Sequence, residues 1–248
     1  MSAQVITGGE FLLGSLALSP YSGSATYGGE VAMQTGNVHG GGGYRRAYPG
    51  IKKFTQEFDG FADYATGAVS LALTSGSPGT QTQVALFPTN DGAATAGNPV
   101  GFSRVLITSF SSPGGNVGEM ATFKLSTESD TAQVDGVTAM PYTAYTSTTN
   151  GSVQTMTGPT SSQSLYAALF ITAVSGTSTP TLTATVQSAT LVGFGSPTTR
   201  GTFTAATAVG SQWLTPVSGA ITDGFWRVVF TISGTNPSFT ACAVIGVR

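Results

Sequence analysis

The amino-acid sequence predicts an all-β protein with a minor helical part, folded as a β-sandwich or barrel. Most segments alternate between apolar and polar residues with a period of two, which is the pattern of a half-buried strand. Turn-forming residues separate these segments at short intervals, and the 248 residues include 34 glycines and 12 prolines. About a dozen short strands at such spacing are typical of a sandwich or a barrel.

The clearest predicted strand pair lies in the first quarter of the chain. In residues 51–59, Phe54 and Phe58 fall on one side of a strand. The polar residues of the other side are Lys53, Thr55, Glu57 and Asp59. Residues 27–35 alternate in the same way and are the predicted antiparallel partner, so the pair has one buried and one wet face.

A glycine-rich segment, residues 36–50, is the predicted connection between these two strands. It contains four consecutive glycines at positions 40–43. A connection of this length without regular structure is long for a compact domain, and such connections are usually functional or mobile.

Further elements follow in chain order. Residues 63–73 suit a short helix capped by Asp63, although residues 69–74 also suit a strand. The predicted strands of the first half are residues 82–87, 100–110, 120–126 and 132–140. Those of the second half are residues 154–157, 165–174, 181–188, 202–208, 224–232 and 239–247. Turns are predicted at residues 175–176, 195–197 and 233–237.

A segment rich in Thr and Ser, residues 142–151, is the predicted boundary between two β-rich halves. The first predicted domain is residues 1–141, which includes the long connection of residues 36–50. The second is a jelly-roll-like half of residues 152–248.

Charge is scarce in this chain, at 8% of residues with a net charge of -2. This is about a third of the usual share, and isolated soluble proteins usually keep more surface charge. We therefore expect much of the surface to be buried against copies of the same chain. No basic run exceeds two residues, which argues against tight binding to nucleic acid.

The amino terminus predicts no targeting or membrane-spanning segment. Residues 1–7 contain no Lys or Arg, and the apolar stretch of residues 11–18 is too short to span a bilayer. Assembly in a cytoplasm, without a membrane partner, is the simplest interpretation.

No motif predicts catalysis, and no metal or cofactor is expected. His39 is the single histidine and has no acidic residue near it in sequence. Glu57 and Asp59 share a strand face that is predicted to be wet, whereas acid–base catalysis needs a pocket. The four-glycine segment lacks the Gly-Lys-Ser/Thr ending of a phosphate-binding loop. Cys242 is alone, and its apolar neighbours predict a buried thiol.

The two tryptophans leave a binding role open. Trp226 shares a predicted strand face with Val228 and Phe230, which favours a place in the core. Trp213 is compatible with a core lid, an interface anchor or a platform for a sugar.

Residues 28–63 resemble the major tail tube proteins of long-tailed phages. The resemblance lies in Gly29-Glu30-Val31 on a first strand, the segment from Gly40 to Arg46, Tyr48-Pro49-Gly50-Ile51, and the strand from Phe54 to Gly60. Residues 98–102 and 118–123 are similar to two further core strands of that family. Residues 225–239 are similar to the ending of jelly-roll-like modules in phage structural proteins. The resemblance covers the first 140 residues better than the rest.

This resemblance implies a structural virion protein of the tail that is not an enzyme. Subunits of that family form stacked rings, commonly hexameric, in which each copy contributes strands to a barrel around a channel. It implies that Lys53, Thr55, Glu57 and Asp59 face the lumen, where DNA passes without specific binding. The implied inter-ring contacts are Tyr44, Arg45, Arg46 and Tyr48. The implied partners are further copies of the chain, a tape-measure protein and a tail terminator protein.

Two other non-enzymatic functions share these sequence features. A capsid decoration protein or head fibre would have the same composition and would assemble as trimers on a capsid. A carbohydrate-binding adhesin would use Trp213 or exposed tyrosines such as Tyr142 and Tyr145. The sequence leaves two positions open for the second half, which either forms part of the tube wall or projects outward from it.

Overall fold

The computed structural model describes residues 9–37, 45–62, 82–88, 95–114 and 118–248. These residues form fifteen β-strands and no helix, which confirms the all-β prediction. The predicted helix of residues 63–73 lies outside the described residues.

The chain divides into two compact units that interleave along the sequence. The larger unit consists of Met1–Pro20, Gln83–Arg104 and Gln133–Arg248, and the smaller unit of Tyr21–Thr82 and Val105–Ala132. This division differs from the predicted boundary at residues 142–151. Strand β8 (Val134–Tyr145) pairs with β15 (Phe225–Val247), so long-range pairing joins segments on either side of that boundary. The functions assigned to residues 1–141 and 152–248 stay predictions.

The smaller unit is built on a four-stranded antiparallel sheet in the order β3–β4–β7–β6. Its strands are β3 (Ser22–Asn37), β4 (Arg45–Phe61), β7 (Thr122–Ser129) and the part of β6 (Pro99–Gly114) that follows Arg104. Alternation places the buried side chains of its central strands on one face, namely Gln56, Phe58, Phe123, Leu125 and Thr127. The predicted pairing of residues 27–35 with residues 51–59 is confirmed.

The predicted connection of residues 36–50 is wrong in its bounds. Strand β3 continues to Asn37 and β4 begins at Arg45, with Asn37 opposite Arg45 in the register. Pro49 is tolerated inside β4 because the register shifts between Val31 and Met33, and proline is accepted at such irregularities. Residues 38–44 lie outside the described residues.

The larger unit is organised by two long strands, β11 (Ser164–Ala189) and β15, which pair along almost their whole length. The other strands of this unit are β1 (Leu12–Leu13), β2 (Leu16–Ala17), β5 (Thr82–Pro88), β8, β9 (Thr149–Asn150), β10 (Gln154–Thr155), β12 (Thr198–Thr202), β13 (Gly210–Trp213) and β14 (Val217–Ser218), together with the start of β6. Strand β12 begins and ends earlier than predicted for residues 202–208.

The sequence predicted four strands where β11 and β15 are two, and that prediction is wrong. The expected turns at residues 175–176 and 233–237 are bulges within a continuous ribbon, where Thr177 still pairs with Thr235. Gly176 and Gly234 have φ of 130° and 118°, which only glycine adopts without strain. A glycine therefore bends each strand at this point without ending it.

One core of the larger unit lies between the two halves of this ribbon. Leu165, Leu169 and Phe239 come from one half, and Val186 and Trp226 come from the other. A second core uses the opposite side of the first half, where Phe170 and Cys242 pack with Phe102 and Leu86. Buried side chains on both faces explain the continuous apolar runs in residues 165–171 and 241–245.

Replacing Thr138 with valine is expected to stabilise the protein by about 1 kcal/mol. Its hydroxyl is fully buried and has no hydrogen-bond partner among the described residues, so the isosteric methyl group removes a desolvation cost. Urea unfolding measures the change.

Thr127→Val is the matched control for this prediction. Thr127 is equally buried, but its hydroxyl donates a 2.9 Å hydrogen bond to Oε1 of Gln56. Valine at this position is expected to cost about 1 kcal/mol. Equal effects of the two substitutions would contradict the prediction.

Candidate assembly surface

The smaller unit presents a polar sheet face opposite its buried face. Lys53, Glu57 and Asp59 are exposed on β4, and Thr55 is half-buried between them. The predicted set of four residues therefore shares one face, as the alternation indicated. Its assignment to a lumen stays a prediction.

Two ion pairs join β4 to β7 across this face. Lys53 Nζ lies 3.1 Å from Oε2 of Glu128, and Lys124 Nζ lies 3.5 Å from Oδ1 of Asp59. Both pairs are solvent-exposed, so each contributes little to stability. Sequence reasoning missed Lys124 and Glu128, because alternation shows which residues share a strand face but not which strand is the neighbour.

The face as a whole is acidic. Glu30 lies directly opposite Lys53 in the register, so it belongs to the same face. Among the described side chains of β3, β4 and β7, the charged residues of this face are two lysines, Lys53 and Lys124, and four carboxylates, Glu30, Glu57, Asp59 and Glu128.

The hairpin of β3 and β4 extends beyond the rest of the sheet as an arm, residues 30–37 and 45–53. Strand β7 pairs with β4 only from Thr55 to Phe61, so among the described strands the arm is two-stranded. Eight residues of strand span about 25 Å. Exposed apolar side chains include Ile51, at 82% exposure, and Met33, at 56%. An isolated two-stranded ribbon is marginally stable in water, so the arm is suited to docking against another surface.

The arm is also the most basic part of the sequence. It carries Arg45, Arg46, Lys52 and Lys53, four of the nine cationic residues, together with one carboxylate, Glu30. For Arg45, Arg46 and Tyr48 the structure describes the backbone alone, and Tyr44 lies outside the described residues. Their predicted contacts with a further ring stay predictions.

Strand β3 is an outer strand of the smaller unit. Among the described strands it pairs with β4 alone, over a length of sixteen residues. Within the ranges that the structure describes, no strand pairs along the other side of β3. A long strand with an open edge is a template for pairing with another chain.

The aromatic residues proposed as a sugar platform are packed within the larger unit. Trp213 is half-buried, with its ring centroid 5.5 Å from that of Phe102 and 5.9 Å from that of Tyr166. The Tyr145 hydroxyl donates to the carbonyl oxygen of Pro141, and Tyr142 shares a 2.8 Å hydrogen bond with Thr172. Trp213 is therefore packed against the edge of the second core.

A buried polar cluster holds β12 against β11 in the larger unit. Oδ2 of Asp223 accepts hydrogen bonds from Oγ of Ser188 at 2.6 Å and Nη2 of Arg200 at 2.8 Å. Arg200 Nε also donates to Ser188 Oγ at 2.7 Å. These hydrogen bonds lower the pKa of Asp223, which keeps its carboxylate charged. The lowered pKa makes Asp223 a weak base toward the serine, so the geometry of the cluster suits a structural clamp.

Other candidate chemistry is limited within the described residues. No group of three or more His, Cys, Asp and Glu side chains there is placed to hold a metal ion. Cys242 is fully buried, as predicted, and burial raises the pKa of its thiol. His39 lies outside the described residues. Among the described residues, no helix is long and apolar enough to cross a membrane.

The described residues define an all-β protein whose smaller unit carries a sheet with β3 as an outer strand, an acidic face and a basic arm. No family model matches the chain, and no curated protein matches it. Solved structures with some likeness include two from gene transfer agent particles. One, from the virion of the native particle, has 13% identity and a TM-score of 0.41 over 53% of this chain and 97% of its own. Another, from the C6-symmetric tail of the empty particle, has 14% identity and a TM-score of 0.37 over 50% and 92%.

A third similar structure is the SPP1 Dit protein (gp 19.1), from the hub adsorption apparatus of phages that infect Gram-positive hosts. It has 9% identity and a TM-score of 0.37, over 97% of this chain and 99% of its own. Identities and TM-scores at these levels do not assign the chain to a family.

Proposed function

We propose that this protein is a structural subunit of a phage tail, which self-assembles into stacked rings that form the tail tube. The observation that carries the proposal is the hairpin of β3 and β4: among the described strands its outer strand pairs with β4 alone, and its arm exposes apolar groups on two strands. The resemblance of residues 28–63 to tail tube proteins agrees with it. The low charge of the chain is the composition expected of a protein that is buried in an assembly.

In this proposal neighbouring copies pair through the outer strands of their four-stranded sheets, with β3 of one copy beside the part of β6 that follows Arg104 in the next. Pairing around a closed ring removes the open edges that otherwise lead to aggregation. Six copies form a ring, the number common in the family that the sequence resembles.

The acidic face then lines the channel. Four carboxylates and two lysines per copy give it a net negative charge, which repels the phosphate backbone of DNA. DNA therefore passes without specific binding. The tube is part of the virion and is assembled in the host cytoplasm, where a tape-measure protein and a tail terminator protein define its length.

The basic arm reaches the next ring in the stack. Arg45 and Arg46 form bidentate contacts with carboxylates of that ring, and Tyr44 and Tyr48 flank them. The larger unit completes the outer wall or projects from it.

Negative-stain electron microscopy of the purified protein tests this function directly. We expect rings and hollow tubes with a regular axial repeat. Discrete trimers would favour a capsid decoration protein, and monomers at high concentration would overturn the proposal.

Ile51→Glu is expected to raise the concentration needed for assembly by about tenfold or more, because a carboxylate would be buried at the docked arm. Ile51 is 82% exposed in the isolated chain, so the folded subunit should keep its thermal stability. Sedimentation velocity over a concentration series measures the effect.

Leu191→Glu is the matched control, since Leu191 is 72% exposed and lies in the larger unit, outside the arm. It is expected to assemble like the wild type. Unchanged assembly of the Ile51→Glu protein would show that the arm does not dock.

A further inference from the structure

Arg227 is held in one position on the outer side of the β11–β15 ribbon. Its guanidinium carbon lies 4.3 Å from the ring centroid of Phe194, a cation–π distance. Its Nε donates a 2.9 Å hydrogen bond to Oε1 of Gln187 on the neighbouring strand. Two contacts of different kinds therefore fix both the plane and the direction of the guanidinium.

The ring below Arg227 is placed there at a conformational cost. Phe194 has a φ of 49°, in the left-handed region that bulky residues rarely adopt, although glycines flank it at positions 193 and 195. Strain of this kind persists where the surrounding structure requires it, and it concentrates at binding sites. Here it sets a buried aromatic ring beneath a half-exposed arginine.

The terminal nitrogens of this arginine have no hydrogen-bond partner in the part of the chain that the structure describes. Within the described residues, Arg227 makes only the contacts to Gln187 and Phe194, so its two NH₂ groups have no acceptor. The amide nitrogen of Gln187 likewise has no acceptor within the described residues. A fixed guanidinium with free NH₂ groups matches the paired oxygens of a carboxylate.

The described neighbours of Arg227 on this face are uncharged and include both polar and apolar side chains. Phe225 and Val229 lie two residues away along β15, and Thr199 follows Gln187 across the sheet. Asn150 lies opposite Val229 on the same face. Counting only the residues that the structure describes, the face therefore offers hydroxyl and amide groups, an aromatic edge and a single positive charge.

One fixed cation among uncharged hydroxyl, amide and aromatic groups suits some classes of ligand better than others. One cation is too few for a nucleic acid or an anionic membrane, both of which need clusters of basic residues. The strands beneath the site, β11 and β15, pair with a neighbour on each side there, so they provide no edge for an extended peptide. Hydroxyl and amide groups around one fixed arginine match a sugar that bears a carboxylate.

We propose that the face around Arg227 is a binding site for an acidic saccharide. The guanidinium receives the carboxylate of a uronic acid unit, and Gln187 and Asn150 bond to its hydroxyl groups. This site lies in the larger unit and does not depend on the proposed tube function.

Isothermal titration calorimetry with an oligogalacturonate and with its methyl ester tests the site. The ester retains every hydroxyl and lacks the charge, so it separates recognition of the carboxylate from general sugar binding. The acid is expected to bind about tenfold or more tightly than the ester. Equal affinities, or no binding of the acid at millimolar concentration, would overturn the proposal.

Arg227→Lys and Arg227→Gln identify the residue responsible. The lysine keeps the charge but not the planar pair of donors, and is expected to weaken binding of the acid severalfold. The glutamine is expected to abolish the preference for the acid over the ester. Lys124→Gln, which removes an exposed cation in the smaller unit, is expected to change nothing. Unchanged preference in a folded Arg227→Gln protein, or loss of binding in Lys124→Gln, would place the site elsewhere.

Discussion

Replacing Trp226 with alanine is expected to destabilise the larger unit by about 4 kcal/mol. The side chain is fully buried in the core between the two halves of the ribbon. Its indole nitrogen also donates a 2.9 Å hydrogen bond to the carbonyl oxygen of Met156. Alanine therefore leaves a cavity and an unpaired carbonyl group at the same place.

Thermal unfolding followed by circular dichroism measures this loss, and about 4 kcal/mol corresponds to a decrease in Tm of roughly 10 °C for a chain of this size. Trp226→Phe keeps most of the buried area and is expected to cost less than half as much. Trp213→Ala is the matched control, because Trp213 is half-buried. A loss from Trp213→Ala equal to that from Trp226→Ala would contradict the assignment of Trp226 to the central core.

Arg200→Met is expected to cost about 3 kcal/mol, because it leaves the buried carboxylate of Asp223 without its cationic partner. The side chains of Arg200 and Asp223 are 24% and 10% exposed, so water replaces the lost contact poorly. Methionine retains much of the volume of arginine, which limits the effect to charge and hydrogen bonding. Urea unfolding of the two proteins at pH 7 gives the difference.

Lys124→Met is the control for this prediction, because Lys124 forms the same kind of ion pair with Asp59 in an exposed position. Its expected cost is below about 1 kcal/mol. Similar losses of stability in Arg200→Met and Lys124→Met would show that the buried ion pair contributes no more to stability than the exposed one.

The same cluster predicts how stability depends on pH. Because the folded-state pKa of Asp223 is lower than that of the unfolded chain, its stabilising contribution is complete above the ordinary carboxyl pKa of about 4 and is lost as pH falls through the lower folded value. Unfolding midpoints should therefore decrease as the pH falls below about 4. Arg200→Met is expected to reduce this decrease, and an identical pH profile in the variant would contradict the proposed cause.

Several features of the fold were predictable from local pattern. Alternation placed Phe54 and Phe58 on one face of β4 and Lys53, Thr55, Glu57 and Asp59 on the other, since side chains of a strand alternate regardless of its neighbours. The buried state of Cys242 was predictable from the apolar residues next to it in the sequence. The predicted pairing of residues 27–35 with residues 51–59 was also confirmed, because the two segments are close in sequence and have matching patterns.

Predictions that placed the end of a strand at a glycine were less successful. Gly176 and Gly234 were interpreted as turns, but in the structure they form bulges that bend two continuous strands. Glycine permits both outcomes, and the choice depends on whether a partner strand continues on the other side. The connection of residues 36–50 was overestimated for a related reason, since pairing with Arg45 and Arg46 extends β3 through Gly36 and Asn37.

The sequence by itself determined the all-β class, the low surface charge and the faces of the individual strands, because composition and alternation are local properties. Only the tertiary structure decided which strands pair, and therefore which residues meet. Pairing across long separations brings Arg227 to Gln187, Asp223 to Arg200 and Lys124 to Asp59. The free energy of such contacts depends on burial and on neighbours far along the chain, which no local pattern records.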